Sequence, residues 1–196
     1  AGRRMRRELT LLLLVVGVGA VAGSLSVPGA RTPANQAVLE PIWAEAKWPF
    51  ALDQWGFGRA FVCAPADCAT RIEIYVRPKI GFCNCATGVS DDAELERVGD
   101  TDMVDAKARA VGGGRPIRIG WMKGLSRRYQ AREAAVRGSL LSVASNDECD
   151  VLVALAMLRD GDPGVAEPAV MAFLNSNPMV LWAKKELGLE FMRRDW

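Results

Sequence analysis

The sequence predicts an α+β protein: an N-terminal transmembrane helix, then one exported domain in which helices cover an antiparallel sheet in a sandwich-like arrangement. Three observations lead to this expectation. A run of 22 residues without a charge, Leu9 to Ala30, follows a basic N-terminus. Strand patterns occur in one early segment and in two later hairpins, as alternation in the first two and as a nearly continuous apolar run in the last. Helix signals lie between and after these strands, and strands in meander order with helices inserted and appended are typical of this class.

The apolar run is long enough to be a membrane anchor, because a helix needs about 20 residues to cross the hydrocarbon core of a bilayer. The arginines before it favour a cytoplasmic N-terminus. They are Arg3, Arg4, Arg6 and Arg7. We therefore expect a single-pass protein of the inner (plasma) membrane with a periplasmic or other extracytoplasmic domain. The expected divisions are a cytoplasmic end at 1–8, an anchor at 9–30, a tether at 31–42 and the domain at 43–196.

A cleaved signal peptide is the alternative interpretation of the apolar run, since Ala20 and Ala22 have the small-x-small arrangement that signal peptidases prefer. A retained anchor is the preferred expectation. Within it, Gly19 and Gly23 form a GxxxG motif, a spacing that lets two helices approach closely in lipid. The motif predicts that other integral membrane subunits are partners of the anchor.

The composition excludes several classes of function. The chain has no histidine, which removes Ser-His-Asp and Cys-His nucleophile activation, the usual zinc sites and His-ligated haem. Residues 32–196 hold 20 basic and 22 acidic side chains, a net charge of −2. Such a domain is not a general polyanion binder, so nucleic acid is not expected as a partner. We expect a protein that is not an enzyme and carries no metal and no cofactor.

The five cysteines, Cys63, Cys68, Cys83, Cys85 and Cys149, are expected to serve folding. Thiols become disulfides in an oxidising compartment, and the spacing lacks the paired C-x2-C of structural zinc sites. A bridge from Cys63 to Cys68 closes readily across a turn-prone insert. Two cysteines one residue apart in a strand lie at the edge of disulfide geometry. Either Cys83 or Cys85 is therefore expected to bridge to Cys149, and one cysteine is left unpaired.

Strands make up much of the predicted domain. Ile72, Ile74 and Val76 alternate with polar or aromatic residues in the period of two that indicates a half-buried strand. The apolar run Val151 to Leu158 predicts a strand that is buried on both faces. The glycines of Gly112 to Arg115 lack the spacing of a phosphate-binding loop and predict a plain turn. The expected strand segments are 59–63, 70–80, a hairpin at 115–132 and a second hairpin at 139–158.

Three helices are predicted. The first is short and begins near Asp91, which fits a capping box, with Ser90 as the alternative cap. Two more close the chain. Pro168 is expected in the first turn of one of them, where proline is tolerated. Asn177 is expected to cap the last helix and Gly188 to end it.

Two groups of residues are candidates for recognition. Trp43, Trp48 and Trp55 crowd the segment after the tether, where aromatic side chains contact a membrane interface, a partner subunit or the domain's own sheet. The second group, named the cation stripe, is either a solvated hairpin face or a site for anionic lipid heads or an acidic partner. Its members are Arg115, Arg118, Lys123, Arg127, Arg128, Arg132 and Arg137.

The leading functional hypothesis is a non-catalytic, membrane-anchored accessory subunit of a larger inner-membrane complex, of the electron-transport or photosynthetic kind. Other integral membrane subunits would be its partners, contacted through the anchor and the tryptophans. One alternative is a periplasmic thiol–disulfide or redox protein that uses Cys83 and Cys85. The other is a module that binds an anionic ligand or a lipid head through the cation stripe.

Overall fold

The computed structural model of the protein describes residues 41–132, 138–159 and 163–189. Seven strands and five helices lie in these ranges. The strands are β1 (Trp43–Ala46), β2 (Arg59–Cys63), β3 (Arg71–Lys79), β4 (Arg109–Ile119), β5 (Met122–Gln130), β6 (Ser139–Asp147) and β7 (Asp150–Arg159). The helices are α1 (Pro65–Cys68), α2 (Asp92–Val98), α3 (Thr101–Asp105), α4 (Pro163–Leu174) and α5 (Asn177–Glu186).

All seven strands form one antiparallel sheet with the order β1-β2-β3-β7-β6-β5-β4. The strands that the sequence predicts are all present. The strand β1 was not predicted, because four residues are too few to show a period of two. It forms one edge of the sheet, and β4 forms the other.

The central strand β7 is buried on both faces, as its apolar run predicts: residues 151–158 are at most 5% exposed. Its side chains at 152, 154, 156 and 158 belong to the cluster that contains α4 and α5, and this side is named the first face. The side chains at 151 and 153 pack with Leu95 and Val98 of α2 on the second face. Each fully buried large aliphatic side chain contributes about 1.5–3 kcal/mol to stability. The largest contribution to the core therefore lies along β7.

The predicted fold class, an α+β domain behind a transmembrane helix, is wrong. The part of the chain that the structure describes is mostly a seven-stranded antiparallel sheet with few helices. In those same ranges, no helix has the length and apolar character needed to cross a membrane. The predicted anchor at 9–30, with Gly19 and Gly23, lies outside the described residues. The sheet dominates because all seven strands pair into it, whereas α1, α2 and α3 have at most seven residues each.

The helix ends follow local chemistry at two of the predicted positions. The side chain of Asp91 caps α2 by accepting from the backbone N–H of Glu94 at 2.8 Å. Gly188 follows the end of α5 with φ +73°, the left-handed conformation that favours glycine. The prediction for Pro168 is wrong, because α4 begins five residues earlier at Pro163 and Pro168 lies inside the helix. Ser176, and not Asn177, is the residue before α5.

The glycine-rich stretch that was predicted to be a turn is part of β4. The pairing of β4 with β5 shifts between Val111 and Arg115, so the glycines form an irregular bulge within the strand. Gly112 has φ +75° there. The backbone N–H of Gly114 donates to Asp92 at 2.8 Å, an approach so close that an added Cβ would meet the carboxylate. The glycines thus form an irregular bulge in an edge strand, and the N–H of Gly114 is engaged by a carboxylate of the same chain.

Candidate functional site

Two disulfides are present, and both pairs are among those that the sequence predicts. Cys63, the last residue of β2, bridges to Cys68 at the end of α1, with the Cα atoms 6.0 Å apart. Cys85, in the loop after β3, bridges to Cys149 in the turn between β6 and β7, across a separation of 64 residues. The second bridge ties a long loop to the central hairpin of the sheet.

Cys83 is the unpaired cysteine, and its environment opposes thiol chemistry. Its backbone N–H donates to the carbonyl of Cys149 at 3.0 Å, and its thiol donates to the carbonyl of Glu148 at 3.1 Å. Burial raises the pKa of the Cys83 thiol, and the carboxylates of Glu94 and Asp150 raise this pKa further. Because the thiolate is the nucleophile, a raised pKa disfavours the redox alternative.

We expect Cys83 to label slowly with N-ethylmaleimide at neutral pH in the native protein, and quickly after unfolding in urea. The raised pKa leaves less thiolate at a given pH, so the native labelling rate should continue to climb at pH values where an ordinary exposed thiol is already ionised. Mass spectrometry of the labelled peptide measures the rate. Rapid native labelling near pH 7 would contradict this expectation and support a redox role.

A metal centre built from the cysteines is not supported. Cys63, Cys68 and Cys85 are in disulfides, which leaves Cys83 alone with a thiol. Across the described ranges there is also no group of three or more Cys, Asp or Glu side chains placed to hold a metal ion. A chelator would therefore have no metal site among these cysteines to act on.

The cation stripe does not form one surface, because its members lie on both faces of the sheet and several pair with carboxylates. On the first face, Arg115 and Arg128 both bind Glu167 of α4. On the second face, Arg127 binds Glu96 of α2 at 2.7 Å. The carboxylates that neutralise the stripe come from helices distant in sequence, so the sequence pattern alone did not reveal them.

The remaining members of the stripe are less constrained. Arg118 and Lys123 lie directly opposite each other across the β4–β5 pair and are exposed. The backbone N–H of Arg132 donates to Asp105, and Arg137 lies outside the described residues. Arg118 and Lys123 together make a smaller candidate site for an anionic ligand than the seven cations that the sequence suggested.

The tryptophans pack against the domain itself. Trp43 stacks on Phe173 of α4 with ring centroids 4.5 Å apart. Trp48 contacts Tyr75 of β3 edge to face at 6.1 Å. Trp55 lies 4.4 Å from the ring of Phe82. All three tryptophans are half-buried, so part of each stays available to solvent or to a partner.

A buried ionic network fastens this region to the sheet, and sequence reasoning missed it. Arg77 of β3 donates two hydrogen bonds of 2.8 Å to Asp100, between α2 and α3. It also donates to both carboxylate oxygens of Asp53, at 2.8 and 2.9 Å. Lys79 lies 2.7 Å from Asp100 and donates to the carbonyl of Val98 at 2.7 Å. The period of two in β3 places Arg77 and Lys79 on the same face of the strand. This was the sequence signal that could have indicated the network.

We name residues 41–58 the aromatic segment. Asp53 and Trp48 hold it onto β3 through Arg77 and Tyr75, as described above. The same segment presents large apolar side chains to solvent: Ile42 is 70% exposed, Leu52 63% and Phe57 65%. The described residues contain seven exposed large apolar side chains, and three of them lie in this one segment.

Two hollows on the surface of the described part of the chain are candidate binding sites. One, of about 270 Å³, lies beside β1 and α4 and has a largely apolar lining. Its lining residues are Pro41, Trp43, Ala169, Ala172, Phe173, Asn175 and Ser176. The other, of about 420 Å³, lies by α2 and α3 and is polar. Two of its carboxylates are engaged within the chain, since Glu96 binds Arg127 and Asp105 accepts from the backbone N–H of Lys107. We assign no ligand to the polar hollow.

Comparison of the chain with protein-family models, with curated proteins and with solved structures gives no match.

Proposed function

We propose that this protein is a non-catalytic accessory subunit of a larger protein complex, and that its disulfide-bonded domain contacts a partner through the aromatic segment. The observation that carries the proposal is the exposure of Ile42, Leu52 and Phe57 in a segment that is otherwise packed onto the sheet. Apolar side chains exposed singly are normal on protein surfaces. Three in one short, well-held segment indicate a surface that a partner covers.

The way the segment is held supports this role. Ion pairs from Arg77 and ring contacts with Tyr75 fix its backbone, so little conformational entropy remains to be lost on binding. Aromatic side chains with apolar neighbours are also enriched at protein interfaces. The proposal does not depend on a membrane anchor. Placement at the inner membrane stays a prediction from residues 9–30.

The proposal is tested by purifying the tagged full chain from the organism that encodes it, after gentle extraction and without added reductant. We expect a complex of defined stoichiometry on native gels and by mass spectrometry. Leu52→Glu combined with Phe57→Glu should remove the partner, because two charges would then face an apolar contact. Val165→Glu is the matched control, since Val165 is equally exposed, at 62%, but lies on α4. A lone 21 kDa species in every preparation would overturn the proposal.

A further inference from the structure

We propose that the free edge of β1 is a docking site for an extended segment of a partner polypeptide, which adds to the sheet as an eighth strand. A large apolar side chain of this segment would fill the 270 Å³ hollow beside Trp43. The inference rests on the proposed function and states how the aromatic segment, which contains β1, recognises its partner. Strand addition of this kind draws affinity from main-chain hydrogen bonds and specificity from side-chain pockets.

The outer edge of β1 has unused hydrogen-bonding groups. In an antiparallel pair, alternate residues point their N–H and C=O groups toward the partner strand and away from it. Two of the four residues of β1 therefore direct these groups away from β2. Within the described ranges, no residue bonds to them. The one charged side chain of β1, Glu45, is paired with Arg59 of β2 at 2.8 Å. An edge left in this state is a template for another strand.

The opposite edge of the sheet, formed by β4, is protected against the addition of another strand. The unused backbone groups at the edge of β1 are therefore a feature of that edge alone among the two. Pro116 of β4 has no N–H, and proline in an edge strand turns its missing donor toward solvent. The side chain of Asn175 donates to the carbonyl of Arg118 at 3.1 Å and accepts from the N–H of Gly120 at 2.9 Å. These contacts occupy the backbone groups that an added strand would need near the β4–β5 turn.

The bulge closes the other half of β4. The carbonyl of Gly112 accepts from Arg127 at 2.8 Å, and the N–H of Gly114 donates to Asp92. Proteins commonly protect sheet edges with prolines, bulges and covering side chains. This chain applies all three to β4, whereas β1 contains no proline and no bulge, and no side chain of the residues that the structure describes bonds across its outer edge.

The hollow beside β1 indicates which side chain the partner carries. It lies on the first face, where Trp43 stacks on Phe173, and Ala169 and Ala172 widen it. Side chains of a strand added next to β1 alternate between the two faces. One that faces the hollow would be surrounded by Trp43, Phe173 and the two alanines, so it is large and apolar. Asn175 and Ser176 are the polar members of the lining.

A second copy of this chain fits the hollow poorly. Residues directly opposite each other in an antiparallel pair lie on the same face. In the two symmetric registers that overlap all or most of β1, the side chain opposite Trp43 is therefore Glu45 or Lys47. Placing either charge over an apolar hollow is unfavourable. The structure thus favours a different polypeptide as the occupant.

The test uses a phage-displayed library of random short peptides selected on the full, oxidised chain. We expect the selected peptides to share one large apolar position. Amide hydrogen exchange by NMR should show that a synthetic selected peptide newly protects two alternate amides of β1. The amide of Arg118 on the closed edge should not change. Ala172→Phe, which fills the hollow, should weaken binding roughly tenfold or more, as expected for the loss of one buried apolar side chain.

Val165→Phe on the same helix is the control and should bind the peptide like the parent. The inference is overturned if no peptide is selected, if the protected amides lie elsewhere, or if Ala172→Phe binds unchanged. The inference would also be overturned if the parent protein self-associates and the β1 amides become protected as it does so, because the occupant would then be a second copy. A complex that survives Ala172→Phe but is lost with the Leu52 and Phe57 changes would leave the proposed function standing and remove this inference alone.

Discussion

Replacing Asp100 with alanine should lower the free energy of unfolding by about 3–5 kcal/mol, the cost of removing one partner of a buried ion pair. Asp100 is the buried carboxylate that Arg77 and Lys79 share, and the three side chains are 6%, 3% and 4% exposed. Without Asp100, two cations would stay buried with only the half-exposed Asp53 nearby. Urea unfolding of the oxidised protein, followed by tryptophan fluorescence, measures the loss.

Glu45→Ala provides the comparison for that measurement. Glu45 forms an equally short ion pair with Arg59, but its side chain is 55% exposed. Exposed pairs contribute about 0–1 kcal/mol, so this variant should unfold almost like the parent. Equal losses of unfolding free energy in Asp100→Ala and Glu45→Ala would show that the burial of the Arg77 network adds no stability. The aromatic segment should also loosen in Asp100→Ala, because Arg77 holds Asp53 as well.

Replacing Cys149 with serine should remove about 4 kcal/mol of stability, the loop-closure entropy expected for a bridge across 64 residues. A typical domain has a net stability of roughly 5–15 kcal/mol, so the melting temperature should fall markedly. The released thiol at Cys85 is exposed and should label quickly, while Cys83 stays buried and slow. Thermal unfolding and thiol labelling of the non-reduced protein give the two readings.

Two further variants provide comparisons for the stability loss of Cys149→Ser. Cys83→Ser breaks no bridge and can keep the hydrogen bond to the carbonyl of Glu148, so it should lose far less stability. Cys68→Ser opens a bridge across five residues, for which the same relation gives about 2 kcal/mol. If Cys149→Ser melts like the parent, the long-range bridge does not stabilise the fold. The order of the stability losses in the three variants shows whether the loss depends on the length of the closed loop or on the removal of a cysteine alone.

The sequence by itself determined the features that depend on neighbours in the chain. The alternation of Ile72, Ile74 and Val76 predicted β3, and the apolar run from 151 to 158 predicted a strand buried on both faces. Asp91 was identified as a helix cap, and Gly188 as a helix end. Spacing also predicted the bridge from Cys63 to Cys68, and a local period or spacing fixes each of these features. For the second bridge the sequence left Cys83 and Cys85 as alternatives, and the structure has Cys85 paired with Cys149.

The tertiary structure alone decided the features that depend on residues brought together from distant parts of the chain. Glu167 neutralises Arg128 from 39 residues away, and Asp100 meets Arg77 from 23 residues away. No local pattern carries such pairings. The strand β1 is four residues long and exists because β2 offers it hydrogen-bonding partners. Its open edge could be recognised only once the sheet order placed it last, since an edge is a property of the whole sheet and of no single strand.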